Sequence, residues 1–365
     1  MAAVSRVRVV GTGLIGTSVG LALRARGVDV TLADPSPTAV TLAADLGAGR
    51  IAAPGAPDPE VVVVAAPPDV TAAVVATQLR AHPRATVTDV ASVKRVIHAE
   101  LAEQGADLTR YVGGHPMAGR ERSGAVSGRS DLFVGRPWVV VPSAASEDGR
   151  VEQVCALAEL AGATVARMDA AEHDAAVAAV SHVPQVAASL VASRLRDLPT
   201  ESVGLAGQGL RDVTRIAASD PTLWTQILVG NATAVRNVLA ELAADLGSVV
   251  AALDAIGDDP DAPAPGARGV LASVIADGNA GQARIPGKHG STAVAYAVVT
   301  VVVADEPGTI ARLLHEVGAA GVNLEDLRIE HEFGRPVGIV QMWVVPQAAE
   351  PLVEELRARG WTVRD

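Results

Sequence analysis

The sequence predicts an α/β protein in three parts: a Rossmann domain over 1–167, an all-helical dimerisation domain over 168–282, and a ferredoxin-like module over 296–365. Three observations predict it. A glycine-rich turn, Gly11-Thr-Gly13-Leu14-Ile15-Gly16, sits between a strand pattern and a helix pattern. Strand–helix alternation stops near Asp169, and only helical periodicity follows. The chain then finishes in the order βαββαβ.

Composition bounds the rest. A chain of 365 residues suggests two or three domains. Hydrophobic residues make up 49% but aromatics only 2%, so the cores must be built from Val, Leu, Ile and Ala. A formal net charge of -11 argues against a nucleic-acid partner. Cys155 is the single cysteine, which excludes an intrachain disulfide and a cysteine-rich metal site; no metal is expected. No charged segment leads into an apolar one at the start, and no unbroken run of about 18 apolar residues occurs. The expectation is a soluble, cytoplasmic protein with no membrane association.

Arg6 to Val10 reads as a short buried strand entering the glycine turn. Ile15, Val19, Ala22 and Leu23 follow at helical spacing, and Gly27 closes that helix. A second strand runs from Val28 to Leu32 and ends at Asp34, 18 residues after Gly16. Gly11, Gly13 and Gly16 permit the tight turn, approach of a pyrophosphate and close helix–strand packing, with Leu14 and Ile15 opening the helix. Asp34 should accept from the ribose hydroxyls and repel a 2'-phosphate, which favours NAD over NADP. Gly16-Thr-Ser18-Val-Gly20 also matches a nucleophile elbow, but Ser18 already lies inside the helix, so that reading fails.

The alternation continues. Val61 to Val64 is a fully apolar strand, suited to the centre of a parallel sheet. Pro67-Pro68-Asp69 then starts a helix to about His82. Ala85 to Asp89 is the next strand, followed by Ser92-Val-Lys94 and a helix over Val93 to Gln104. Ser92 could simply cap that helix, but it also falls at the carboxyl edge of the sheet, where ligands bind. At the same edge comes Tyr111-Val-Gly-Gly114-His115-Pro-Met-Ala-Gly119. Its glycines allow a bend and close approach, Pro116 keeps His115 extended, and His115 is placed to take a proton near neutral pH. The alternative is a turn histidine that only bonds backbone. Arg120 to Asp131 is long enough for a lid. Strands over Trp138 to Val141 and Thr164 to Ala166, with a helix around Glu152 to Leu160, complete the domain.

From Asp169 a helix carries Glu172, His173 and Asp174 into Ser181-His182-Val-Pro184-Gln185, where Pro184 should kink it. Arg211 and Arg215 are four apart, with Asp212 beside them. Two arginines on one helix face suit a carboxylate-bearing ligand or, equally, a surface ion-pair network. Asp220-Pro221 should open one long helix reaching about Ile256. Its heptad series Leu228, Val235, Leu242, Val249 and Ile256 predicts a partner helix and hence a dimer core. Gly257 to Gly269 reads as a linker, 270–276 as a last helix, and Pro286 to Ser291 as a second linker.

Taken together, Gly11-x-Gly13-x-x-Gly16, Ser92-Val-Lys94, Gly114-His115-Pro-Met-Ala-Gly119, Ser181-His182-Val-Pro184 and Arg211-Asp212-x-x-Arg215 with Trp224 resemble the prephenate dehydrogenase family along nearly the whole chain. Asp305-Glu-Pro307-Gly308 and Gly321-Val-Asn323 resemble the ligand loops of an ACT regulatory domain. The resemblance implies a homodimer that uses NAD to convert prephenate to 4-hydroxyphenylpyruvate by oxidative decarboxylation. It implies His115 as proton acceptor, with Ser92 bonding the same substrate hydroxyl. Arg215 would hold a substrate carboxylate, and Arg211, Asp212, Ser181, Gln185 and Trp224 would shape the pocket. Tyrosine would bind at Gly308 and Asn323 as an effector. Gln185 stands where the family often has a second histidine, and Arg211 where lysine is frequent, so arogenate dehydrogenase is the alternative. A non-catalytic amino-acid sensor is the alternative of another class. Residues 170–256 contain no lysine, which argues against the homoserine and hydroxyacid dehydrogenases.

Overall fold

The computed structural model describes residues 4–53, 55–119, 124–257, 266–286, 296–331 and 337–364. They form two compact units, 1–243 and 244–365.

The first unit is built on an eight-stranded sheet. Its strands are β1 (Arg6–Val10), β2 (Asp29–Ala33), β3 (Arg50–Ile51), β4 (Val61–Val64), β5 (Thr86–Asp89), β6 (Tyr111–Pro116), β7 (Pro137–Pro142) and β8 (Thr164–Arg167), in the order β3-β2-β1-β4-β5-β6-β7-β8. The first six repeat the doubly wound dinucleotide-binding order, whose switch point lies between β1 and β4. β4 is Val-Val-Val-Val and fully buried, as a strand covered on both faces must be. β7 runs antiparallel to β6, a reversal that strand periodicity did not disclose. Helices α1 (Leu14–Arg24), α2 (Pro37–Asp45), α3 (Pro68–Ala81), α4 (Arg95–Glu103) and α5 (Asp148–Leu160) connect the strands. Ser18 lies within α1 and donates to the Leu14 carbonyl at 2.7 Å, so it is no nucleophile elbow.

The helical region of this unit begins with α6 (Ala170–Val177), capped by an Asp169–Glu172 capping box. A π-helical turn over Ala178–His182 leads into α7 (Val183–Ser193). The expected interruption therefore falls one turn before Pro184. Pro184 lacks an N–H to donate, and the wider turn removes the need for one. By length and composition Ala170–Ser193 could cross a membrane. Buried His173, Asp174, His182 and Gln185 within it mark a polar interior helix instead. There follow α8 (Thr200–Val203), α9 (Gln208–Thr214), a 3-10 turn at Arg215–Ala217, and α10 (Pro221–Gly230).

The single long helix expected from Asp220 is two helices. Asn231 leaves helical geometry at φ -121°, ψ 28°, and α11 (Ala232–Ile256) starts afresh. The cause is close packing: a Cβ on Gly230 would meet Val93 at 3.1 Å, and the Asn231 side chain is committed elsewhere. Along α11, Leu242, Leu246, Val250 and Leu253 are exposed among the described residues, leaving an apolar seam open on this helix.

In the second unit α12 (Ala267–Gln282) is longer than the expected 270–276. Gly278 and Gly281 lie inside it, although glycine pairs usually signal helix ends. The linkers expected at Gly257 to Gly269 and Pro286 to Ser291 fall mostly outside the described residues. The terminal module comprises β9 (Ala297–Ala304), α13 (Thr309–Ala319), β10 (Asp326–His331), β11 (Val337–Val344), α14 (Pro346–Ala358) and β12 (Thr362–Arg364). Its strand order β10-β11-β9-β12, antiparallel throughout, is that of a βαββαβ ferredoxin-like sheet. Val299, Val301, Val303, Leu313, Met342 and Leu352 fill its core.

Candidate active site

The glycine turn joins β1 to α1 at the switch point. Gly11 has φ +97°, and a Cβ there would lie 2.2 Å from the Ala65 carbonyl oxygen. A Cβ on Gly16 would lie 1.9 Å from the Gly11 oxygen. At both positions only glycine fits. Gly13, by contrast, faces open space and caps α1 with no side-chain bond, so the helix N-terminus is free to meet an anion. Leu14 and Ile15 pack against the core beneath. Asp34, just beyond β2, accepts from the Thr12 amide at 2.7 Å, the Thr12 hydroxyl at 2.9 Å and the Ser36 amide at 2.8 Å. These bonds hold the carboxylate beside the turn, and an ionised carboxylate has capacity for a further donor. From the loop before β7, the Arg129 amide donates to Ser18, and a Cβ on Gly128 would run into Thr17 at 2.7 Å. The loop thus packs on α1; its residues 120–123 lie outside the described set.

The next strands over end in a buried polar cluster. Asp89 closes β5 and accepts from Lys94 Nζ, from Tyr111 Oη at 2.6 Å and from the Ala91 amide at 2.8 Å. Lys94 and Asp89 are both fully buried. Burial pulls the Lys94 ammonium below its usual value while Asp89 opposes it, and burial followed by Asp89 pushes the Tyr111 phenol up. His98 stands edge-on to Tyr111 at 5.4 Å. This packing explains Gly113-Gly114 differently from the expected bend. A Cβ on Gly114 would lie 2.6 Å from the Asp89 carbonyl oxygen, and one on Gly113 would lie 2.9 Å from that of Val141. The glycines are there for close approach within a strand.

His115 follows, 8% exposed. Its Nδ1 lies 2.8 Å from His173 Nε2, and His173 Nδ1 lies 2.8 Å from Asp174 Oδ1. The Asp174 carboxylate also accepts the backbone amides of Lys94 and Arg95, each at 2.9 Å. These are the first amides of α4, so that helix is capped from another helix, 80 residues away. Ser92 is therefore not the cap, and α4 starts at Arg95 rather than Val93. Ser92 remains in the turn after β5, half-buried, at the sheet edge that carries His115.

Burial holds the His115 imidazole well below its usual value, and His173, Lys94 and His182 push the same way. Burial also lowers His182, to about 4, against the pull of Asp174. For Asp174 burial works upward, but hydrogen bonds from His173 and the Arg95 and Lys94 amides outweigh it and hold the carboxyl below the ordinary range. Asn231 donates to the Asp174 carbonyl at 2.7 Å and lies 3.2 Å from His182 Nδ1. Trp224 stands edge-on to His182 at 6.0 Å.

The other expected residues divide. Ser181 is in the π-helical turn beside His182. Gln185 is buried on α7 and accepts from Ser219 at 3.3 Å, and Ser219 in turn lies 2.7 Å from the Ile216 carbonyl of the turn containing Arg215. Arg211, Asp212 and Arg215 are exposed on α9 and that turn; Gln208 donates to Asp212 at 2.8 Å. The bonded cluster at His115 reaches neither arginine. In the terminal module Gly308, at φ +90°, begins α13 and lines a cleft of about 490 Å³ with Glu306, Thr309, Arg312 and Trp361. Arg312 lies 4.5 Å over the Trp361 ring. Asn323 is exposed, bonds Glu325 and does not line the cleft. Residues that sequence reasoning gave no role are His173, Asp174, Lys94 and Asn231. The one visible signal was an adjacent His-Asp pair, both buried, in the short helix that Glu172 helps to cap.

Comparison with known proteins places the chain by family and fold. The nucleotide-binding domain of prephenate dehydrogenase, as a family, matches residues 19–167, and its dimerization domain matches 169–259. The probable prephenate dehydrogenase NovF of Streptomyces niveus is 39% identical over 97% of this chain and 98% of its own. A cyclohexadienyl dehydrogenase of Zymomonas mobilis is 29% identical over 67% of this chain and 87% of its own. The crystal structure of A. aeolicus prephenate dehydrogenase with hydroxyphenyl propionate and NAD+ superposes with a TM-score of 0.66 at 25% identity. It covers 77% of this chain and 98% of that one.

Proposed function

This chain belongs to the prephenate dehydrogenase family, and we propose that it is the NAD-dependent enzyme that oxidatively decarboxylates prephenate to 4-hydroxyphenylpyruvate. The observation that carries the reading is a buried imidazole kept neutral at the carboxyl edge of a dinucleotide-binding sheet. Bound NAD would accept a hydride from the ring carbinol carbon. Gly11, Gly13 and Gly16 with the α1 N-terminus hold its pyrophosphate, and Asp34 holds its ribose. His115 accepts the hydroxyl proton, and Ser92 bonds the same oxygen and orients the ring. Departure of carbon dioxide is driven by aromatisation, so no metal is needed. Arg215 pairs with a substrate carboxylate, and Arg211, Asp212, Ser181, Gln185 and Trp224 surround the side chain. The protein acts as a homodimer, supported by the exposed apolar seam of α11 within the matched dimerization domain.

NAD reduction by the purified protein, with prephenate and arogenate in parallel, tests the assignment. Prephenate is expected to be the better substrate, and NAD to exceed NADP by at least about tenfold in kcat/KM, because a 2'-phosphate would meet Asp34. Faster turnover of arogenate would transfer the assignment to the reaction that gives tyrosine directly. Gln185 favours testing it, since its amide replaces a potentially cationic histidine next to the substrate side chain. Equal use of NADP would overturn the role of Asp34.

The terminal module is an ACT domain that binds tyrosine and inhibits the enzyme. Its support is the cleft at Gly308, where Arg312 and Glu306 offer partners for a carboxylate and an ammonium. Asn323, which does not line that cleft, would act at a junction of two modules. Inhibition requires tyrosine to favour a less active arrangement; a coupling of about 1–3 kcal/mol changes substrate affinity roughly 5–150-fold. A chain ending near Gln282 should keep activity and lose tyrosine inhibition. If tyrosine inhibits both forms equally and competes with prephenate, it acts at the catalytic site instead.

A further inference from the structure

Donor and acceptor roles run in one direction through the cluster at His115. Backbone amides can only donate, so the Lys94 and Arg95 N–H groups fix the Asp174 carboxylate as an acceptor. The His173 Nδ1 that faces Oδ1 at 2.8 Å must then carry the proton. Neutral His173 consequently presents a lone pair at Nε2, 2.8 Å from His115 Nδ1. That nitrogen must be the protonated one of His115, which leaves Nε2 bare.

We propose that Asp174 and His173 are positioning residues that lock His115 in its Nδ1–H tautomer, so that Nε2 is the atom that takes the substrate proton. The inference rests on His115 being the base. The substrate O–H bond breaks with its proton going to Nε2, while the C–H electron pair leaves as hydride to NAD. The imidazolium so formed is bonded through His173 to the Asp174 carboxylate, which stabilises it without itself taking the proton. Opposing that charge are burial of the ring and the Lys94 ammonium. Asp174 has a second task. Its bonds to Lys94 and Arg95 anchor the segment that carries Ser92, so the base and the hydroxyl-orienting serine are referenced to one carboxylate. Asn231, at the break between α10 and α11, donates to the Asp174 carbonyl and ties that residue to the helix junction. A carboxylate–histidine pair acting on a second histidine is selected here because a lone buried imidazole would be split between two tautomers, only one of them productive.

The full chain with NAD and prephenate tests this. Asp174→Asn can turn an amide N–H toward His173 and reverse the tautomers. Turnover should fall roughly 100–1000-fold, with KM for prephenate and NAD binding within about threefold of wild type. His173→Leu, which leaves the α4 cap intact, should fall as far. His173→Gln, whose Oε1 can accept from His115 Nδ1–H, should recover about tenfold over the leucine variant. In a His115→Asn background, adding Asp174→Asn should cost less than about threefold, because the unit is already lost. The proposal is overturned if Asp174→Asn and His173→Leu both turn over within about threefold of wild type, if the loss lies in KM, or if it is additive to His115→Asn. Near-normal turnover of His115→Asn alone would instead overturn the base assignment, so the two failures are distinguishable.

Discussion

Replacing His115 by asparagine is expected to lower turnover roughly 100- to 10,000-fold and leave NAD binding close to wild type. Asparagine is smaller than imidazole but places an amide N–H where Nδ1–H faces His173, so the strand and the cluster should persist. What disappears is a group that can accept a proton. On the proposed reading NAD would be held at a separate place, the turn at Gly11 to Gly16, and should not sense the change. The pH profile gives a second reading. A base must be neutral to act, and burial, with the Lys94 ammonium nearby, lowers the pKa of His115 below the ordinary 6.5. The rate is therefore full above that lowered value and falls as pH drops through it. The acid limb of kcat should lie on the acid side of 6.5 in the wild type. It should be absent from the residual activity of His115→Asn. A variant with near-wild-type turnover, or one retaining the same acid limb, would show that the proton goes elsewhere.

Legibility in the sequence follows the range of the interaction. The turn from Gly11 to Gly16, the strand Val61–Val64, the helix start at Asp169 and the βαββαβ order of the last module were readable because each is set within about ten neighbours by periodicity or capping. Ser92 and His115 were readable as a sheet-edge pair because strand ends follow from the same periodicity. Three features were not. Asp174 caps α4 across 80 residues, and nothing in Val93-Lys94-Arg95 announces a missing cap except the lack of a good one. The helix break at Asn231 comes from Gly230 approaching Val93, a tertiary contact that overrides an unbroken heptad pattern. Gly113 and Gly114 looked like a bend, yet they lie in extended strand because their neighbours leave no room for a Cβ. In each case the deciding atom belongs to a distant part of the chain, and a single sequence carries no record of that pairing.

Lys94 gives the largest expected effect on stability. Its ammonium is fully buried and paired with Asp89, whose remaining acceptors are taken by Tyr111 and the Ala91 amide. Lys94→Met keeps the length and apolar stem of the side chain but leaves a carboxylate in the interior without its cation. The expected loss is about 3–5 kcal/mol, the range for breaking a buried pair from one side. Adding Asp89→Asn removes the uncompensated charge, and its amide oxygen can still accept from Tyr111 or Ala91. The double variant should recover at least about half of the loss, since replacing both partners of a buried pair is far milder than removing one. Urea unfolding of wild type, Lys94→Met, Asp89→Asn and the double variant closes the cycle, read as midpoints at constant slope. The electrostatic reading has a catalytic corollary. Lys94 disfavours the His115 imidazolium, so in the double variant the acid limb of kcat should move toward higher pH. If Lys94→Met destabilises no more than the double variant, the pair is not ionic in the fold. The effect of Lys94 on His115 would then be one of packing, with no shift in the limb.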